Sequence, residues 1–245
     1  MLGNSEDAYG HLIYDYFRKG LGQEIVERDD GLISVSKMLP AYYFAQFRHW
    51  KERDRRAMRF VRGRALDLGC GAGRVALYLQ QSGFDILGID VSPLALRVCK
   101  RRGLKKVRLL SAARINQLDG KFDTLLMLGN NFGLFSSFRR GRAMLKSFYG
   151  KTTQDARIIA ETLDPYKTKD EAHLAYQRRN RRRGRMSGQV RIRVRYRTYK
   201  TQWFDYLLVS KYEMRRMVRG TGWYVQRFLN SPGAQYIAII GKSAN

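Results

Sequence analysis

The stretch Arg64–Pro93, RALDLGCGAGRVALYLQQSGFDILGIDVSP, decides the fold. A short apolar run ends in three glycines at alternate positions, Gly69, Gly71 and Gly73. The chain then resumes as GRVALYLQQSG, whose apolar spacing predicts a helix stopped by Gly83. DILGIDV reads as a second strand, and Ser92-Pro93 supplies an N-cap and a first-turn proline for the next helix. A strand that ends in a glycine turn and runs straight into a helix aims backbone N–H groups at a ligand. The missing Cβ atoms permit the sharp turn and the close approach of a cofactor. Asp90 falls at the end of the second strand. There a carboxylate accepts hydrogen bonds from ribose hydroxyls, the part taken in dinucleotide folds by the acid ~20 residues beyond the loop.

The spacing narrows the choice of nucleotide. The dinucleotide fingerprint G-x-G-x-x-G/A requires a small residue at position 74, and this chain has Arg74. The glycines run G-x-G-x-G instead, with Asp67 inside the preceding strand. No Gly-Lys-Ser/Thr follows, so a P-loop is excluded.

Leu66–Arg74 (LDLGCGAGR) and Gly88–Leu96 (GIDVSPLAL) together resemble the class I S-adenosylmethionine-dependent methyltransferases. The resemblance continues through FDTLLMLGNN, ARIIAETLDPY and SKYEMRRMVRGTGWYV…QYIAIIGK, most of residues 60–245. It implies an α/β fold with a Rossmann-like, seven-stranded, mostly parallel sheet and helices on both faces. The last strand would run antiparallel, with a closing hairpin at one edge. It also implies S-adenosyl-L-methionine as cofactor. The loop Gly69–Gly73, with Cys70, would hold the methionine part, Asp90 the ribose and Val91 one face of the adenine. Asp67 and Leu128 complete the cofactor-binding set. Ala112 and Ala113 stand where many relatives carry an acid for the adenine amino group, and offer backbone contacts only. LGNNFG replaces the Asn/Asp-Pro-Pro-aromatic motif of base-amino methylases, which argues against an exocyclic base nitrogen as acceptor.

Outside this region, residues 1–61 read as an N-terminal helical cap. AYGHLIYDYFRKG is an amphipathic helix stopped by Gly20, EIVERDDGLISV holds two extended pieces around Asp29-Asp30-Gly31, and Tyr42–Val61 has the spacing of one helix. Residues 62–245 form the cofactor-binding domain, interrupted over 164–209 by a basic β-hairpin insertion. Residues 164–190 show no periodicity. In RIRVRYR, Arg191, Arg193, Arg195 and Arg197 alternate with apolar residues and share one strand face. Such a row tracks a phosphate backbone, with Tyr199 and Trp203 to stack bases, or serves as a solvated face that blocks edge aggregation.

Apolar content of 44% against 28% charged suits a globular chain, and no apolar run reaches the length of a membrane span. The opening MLGNSEDAYG lacks the basic and apolar regions of a signal peptide, so the expected compartment is cytoplasmic. Two cysteines, Cys70 and Cys99, support neither a disulfide framework nor a metal site. The net charge of +26 attracts polyanions and anionic small molecules.

The expected activity is methyl transfer by in-line displacement to a small anionic metabolite or to RNA. The alternative is a non-catalytic RNA-binding protein on the same fold. A base is needed only where the acceptor must lose a proton, so no catalytic residue is assigned. Candidate acceptor-side residues are Asn130 and Asn131 after the fourth strand, Asp164 and Tyr166 after the fifth, and His173 in the insertion. His11 and His49 read as surface or packing residues. Tyr14, Tyr16 and Tyr43 either close over the cofactor or form an aromatic core.

Overall fold

The computed structural model describes residues 2–36 and 39–243. The chain opens with α1 (Ala8–Lys19), β1 (Glu24–Arg28), β2 (Ile33–Ser36), α2 (Leu39–Phe44) and α3 (Glu52–Met58). Strands and helices then alternate: β3 (Ala65–Leu68), α4 (Arg74–Gln81), β4 (Ile86–Asp90), α5 (Pro93–Arg101), β5 (Val107–Leu109), β6 (Phe122–Met127), α6 (Phe138–Gly150) and β7 (Thr152–Leu163). The remainder is α7 (Glu171–Arg182), β8 (Gln189–Tyr196), β9 (Tyr199–Lys200), β10 (Phe204–Leu207), α8 (Lys211–Val218), β11 (Trp223–Asn230) and β12 (Gln235–Lys242). Residues gather into two compact units, one of Met1–Lys51, Gly63–Arg114 and Ile192–Phe204, the other of Glu52–Arg62, Ile115–Arg191 and Asp205–Asn245.

The larger sheet has seven strands, three in the first unit and four in the second. In the first unit β3, β4 and β5 run parallel, with Leu66 opposite Leu87 and Ile89 opposite Arg108. Every residue of β3 is buried, the signature of a parallel strand covered on both faces. Antiparallel pairing joins β1 to β2, and β1 also pairs with β8, setting Glu27 against Arg193.

Two helix starts are locked together in this unit. Ser92 caps α5, its Oγ accepting from Ala95 N at 3.0 Å, with Pro93 in the first turn as the sequence implies. Asp7 caps α1 by accepting from Gly10 N at 3.0 Å, and also accepts from Ser92 Oγ at 2.8 Å. Gly10 is the one residue that fits here, since a Cβ would fall 2.2 Å from Ser92 Oγ. Ser92→Ala should therefore lower stability by about 1–2 kcal/mol, because a cap and the donor to a buried carboxylate vanish together. Thermal melting reads this directly, and an unchanged midpoint would mean the Asp7–Ser92 tie carries nothing.

The single helix expected over Tyr42–Val61 is broken into α2, a 3-10 turn at Phe47–His49, and α3. Gln46 and Trp50 adopt extended backbone, with ψ 155° and 154°. Trp50 donates its indole N–H to Ala45 O at 2.9 Å, and Phe47 stacks on Tyr78 with centroids 4.1 Å apart. Aromatic packing against α4 outweighs helical periodicity in this segment.

In the second unit β6 and β7 run parallel, β12 is antiparallel to β7, and β11 closes the hairpin against β12. The reversed strand is thus β12, as the resemblance implies. Ser210 and Glu213 form the capping box of α8. A helix also occupies part of the segment in which the sequence shows no period: α7, capped by Asp170, buries Tyr176, Gln177 and Asn180. The two buried amides are satisfied by main-chain carbonyls, Gln177 at Pro165 and Asn180 at Ser187 and Gln189. Among the described residues, no helix is long and apolar enough to cross a membrane.

Candidate functional site

In the first unit β3 delivers Asp67 and then the glycine loop. Gly69, Gly71 and Gly73 all take left-handed backbone, with φ of 76°, 55° and 79°. The loop hangs on β4, since Gly69 N and Cys70 N both donate to Ile89 O, at 2.9 and 3.0 Å. A Cβ on Gly71 would make ordinary van der Waals contact with Ile13 Cδ1 at 3.8 Å and Tyr9 OH at 3.9 Å, so α1 packs against that side of the loop. At Gly73 the same atom would sit 3.1 Å from Cys99 Sγ; that glycine serves packing. Cys99 Sγ donates to Gly71 O at 3.1 Å, and the two free thiols of Cys70 and Cys99 are 4.0 Å apart.

Asp90 ends β4 and is buried. Gly71 N donates to its Oδ2 and Ser92 N to its Oδ1, both at 2.9 Å. Val91 N is a further main-chain donor to this carboxylate. The adjoining Val91 is 40% exposed, unusual for a residue flanked by buried neighbours and suited to a flat ring. Ala112 is buried and Ala113 exposed at the 3-10 turn after β5.

Acids crowd this loop. Burial pushes the Asp67 carboxyl up to about 7, with Arg74 opposing the rise and Asp90 adding to it. Burial also raises Asp90, Asp7 and Glu24 above their ordinary values. Arg74, which occupies the position where a dinucleotide loop needs a small residue, lies between Tyr42 and Trp50, its guanidinium 4.2 and 4.4 Å from their ring centroids. That placement is a cation–π clamp on the segment after α2.

Of the three tyrosines considered from sequence, Tyr14 and Tyr43 pack against the cluster that holds Ala72 of the loop, and Tyr43 is in edge contact with Tyr9 at 5.3 Å between centroids. Tyr43 OH donates to the buried Glu24 at 2.5 Å. Tyr14 accepts from Arg101 NH1, and Tyr16 packs on Phe44. His49 is exposed, and His11 stacks on Tyr199 with centroids 3.5 Å apart.

In the second unit Leu128 is buried at the end of β6, and Gly129 N donates to Glu161 Oε2 at 2.6 Å. Asn130 takes left-handed backbone with φ 64° and accepts from Tyr206 OH through its main-chain oxygen. Its Oδ1 is buried without a partner among the described residues, and Asn131 opens the 3-10 turn to Phe135. The remaining candidates engage in local structure. Asp164 Oδ1 accepts from Tyr166 N at 3.0 Å, Tyr166 OH donates to Glu213 at 2.8 Å, and the exposed His173 sits in the first turn of α7.

The arginine row is also engaged. Arg193 makes a two-pronged pair with Glu27 at 2.8 and 2.9 Å, and Arg195 reaches the same carboxylate at 3.2 Å. Arg197 lies 3.1 Å from Asp15 and Arg191 3.6 Å from Asp205. Residues that the sequence reading passed over are Asp7, Tyr9 and Glu24 in the first unit, and Arg53 and Glu161 in the second. Asp7 alone carries a sequence signal, as an N-cap ahead of an amphipathic run.

Residues 65–150 match the family model described as a methyltransferase domain. A SAM-dependent methyltransferase from Bacteroides fragilis, crystallised with S-adenosyl-L-homocysteine, superposes with a TM-score of 0.85 at 22% identity, covering 100% of this chain and 98% of that one. A SAM-dependent methyltransferase from Methanosarcina mazei gives 0.61 at 14% identity over 77% of this chain and 97% of that one. Among curated relatives, a 2-heptyl-1-hydroxyquinolin-4(1H)-one methyltransferase of Mycobacteroides abscessus is 35% identical over 72 residues, 27% of this chain and 32% of that protein. A glycine/sarcosine N-methyltransferase of Parasynechococcus marenigrum is 24% identical over 153 residues, 60% of this chain and 52% of that protein. The chain thus spans about a third to a half of the length of these curated relatives. The glycine loop, the acid ending β4 and the reversed β12 thus accompany a methyltransferase-domain match over residues 65–150 and a fold shared with these solved methyltransferases.

Proposed function

We propose that this protein binds S-adenosylmethionine in the cradle of the first unit and methylates a small acceptor that carries an anionic group. The observation that carries the reading is electrostatic. In a chain of net charge +26, the glycine loop lies among buried acids, and burial pushes Asp67 up to about 7. Arg74 is the cation that acts on Asp67, and it leaves the carboxyl raised. A cationic ligand is what such a cradle is short of.

The residues fit the cofactor. Left-handed Gly69 and Gly71, with Cys70, offer main-chain groups to the methionine part. Asp90 would accept from ribose hydroxyls, while Gly71 N and Ser92 N hold its carboxylate in place. Val91 presents an apolar face to the adenine, and Ala112 and Ala113 present backbone. When bound, the cofactor supplies a methyl group on positively charged sulfur, which an acceptor's lone pair displaces in line. The chain's own contribution is orientation within near-attack distance. In this reading Asn130 and Asn131, which follow β6, serve the acceptor.

The engaged arginine row favours a small acceptor over RNA, because carboxylates of the chain already hold the guanidinium groups that a phosphate backbone would need. The two curated relatives are named for small acceptors, which agrees with this choice. The net charge of +26 draws an anionic one.

Calorimetry with S-adenosylhomocysteine tests the cofactor half. Asp90→Asn preserves shape and removes charge, and should weaken binding about ten-fold or more; an unchanged affinity would remove the ribose assignment. Filter binding of bulk tRNA between 50 and 200 mM salt, concentrations at which RNA-tracking proteins lose affinity by roughly orders of magnitude, tests the acceptor half. A weak and flat response is expected, and a tight, steeply salt-dependent one would restore RNA.

A further inference from the structure

Glu24 is a buried carboxylate that no lysine or arginine pairs with among the described residues. It lies at the start of β1, in the same unit as the glycine loop, and nothing in the cofactor assignment above uses it. Its hydrogen-bond partner is Tyr43, whose hydroxyl donates to Oε2 at 2.5 Å. Tyr43 is in turn hydrogen-bonded to Tyr9. A phenol has one hydrogen. Since Tyr43 gives its hydrogen to Glu24, its oxygen must accept from Tyr9, and Tyr9 has given its hydrogen inward. The outer Tyr9 oxygen is left with lone pairs only.

Where that oxygen lies is also defined. It stands 3.9 Å from the point a Cβ of Gly71 would occupy, against the glycine loop, and close enough to Asp90 to feel its charge. The residue cannot drift, because Asp7, two positions earlier, is bound to Ser92 at 2.8 Å. A chain of donors directed at one buried anion makes its outer end an acceptor with partial negative character. It would repel a carboxylate and receive an N–H or ammonium group.

We propose that Tyr9, oriented through Tyr43 by Glu24, is a ligand-binding residue that receives the α-ammonium group of the methionine moiety. The proposal rests on the cofactor reading given above and adds a specific contact to it. Tyr9 touches the ligand; Tyr43 and Glu24 act through it and are positioning residues.

Two probes separate this contact from the rest of the cradle. S-Adenosylhomocysteine carries the ammonium group, whereas 5′-methylthioadenosine keeps adenosine and sulfur and lacks it. By calorimetry on the full chain, Tyr9→Phe should weaken S-adenosylhomocysteine about three- to ten-fold and leave 5′-methylthioadenosine within about two-fold. Glu24→Gln keeps an acceptor for Tyr43 but removes the charge, and should give a smaller loss with the same selectivity. Thermal melting of both variants guards against a folding defect. Equal losses on both ligands, or none on either, overturn the inference while leaving the cofactor reading intact. Binding of neither compound by the unaltered protein overturns both.

Discussion

Arg53→Ala is expected to destabilise the protein by about 3–5 kcal/mol, the cost of stranding buried charge. Arg53 in α3 is 3% exposed, and its neighbours Asp54 and Glu161 are 0% and 3% exposed. The guanidinium donates to Glu161 Oε1 at 2.5 Å, to Asp54 Oδ1 at 3.0 and 3.2 Å, and to Ser231 Oγ at 3.2 Å. Truncation would remove the guanidinium from which both buried carboxylates accept. For a chain of this size the loss corresponds to a fall of roughly 10 °C in the melting midpoint. The effect should reach the turn after β6, because Glu161 Oε2 also holds Gly129 N at 2.6 Å, one residue before Asn130. Adding Glu161→Gln to Arg53→Ala removes one stranded charge and should recover part of the loss, so the two changes are expected to be non-additive. A single variant that melts within two or so degrees of the unaltered protein would show that the triad is not held as a buried ionic unit.

Asp67→Asn is expected to stabilise the ligand-free protein at pH 8 and to weaken its cofactor binding at the same pH. In the fold Asp67 is pushed up to about 7 by burial, whereas an unfolded chain ionises it near the ordinary value of 3.8. The folded state therefore holds a proton that the unfolded state releases. The stability contributed by this proton is complete below pH 3.8 and is lost as pH rises through 7. The amide introduced by the substitution does not titrate, and the other raised acids are common to both proteins. The stability difference between them should thus widen from pH 5 to pH 8, by about 2–3 kcal/mol in the variant's favour, and then level off. Denaturant melts at three pH values measure this. Binding follows the opposite sense: the unaltered protein should lose affinity for S-adenosylmethionine as pH falls below 7 and Asp67 is neutralised. A gap that stays constant with pH would mean that Asp67 is ionised in the fold throughout, and that the cradle does not lack positive charge.

The amino-acid sequence alone determined the features that depend on a few neighbouring residues. The glycine loop at 69–73, the acid ending β4, the Ser92-Pro93 start of α5, the Ser210–Glu213 capping box and the β11–β12 hairpin were all legible. Each is governed by backbone conformation or hydrogen bonding within a turn or two. Arg74 excluded a dinucleotide loop on spacing alone. Its clamp between Tyr42 and Trp50 needed the fold, as did the break that this aromatic packing forces between α2 and α3.

Tertiary structure decided everything that depends on which distant groups share a low-dielectric space. The alternating arginines of β8 read as a free basic face. Pairing of β1 with β8 brings Glu27, 166 positions away, onto Arg193 and spends that charge. Asp7 and Ser92 meet across 85 positions, Tyr43 and Glu24 across 19, and no periodicity records either contact. Helix α7 escaped notice because the face it buries is made of Tyr176, Gln177 and Asn180, whose amides become interior residues only once particular carbonyls satisfy them. Asp67 is one carboxylate among 21 acids in the sequence. Only burial in the fold, beside Asp90, pushes its carboxyl up to about 7.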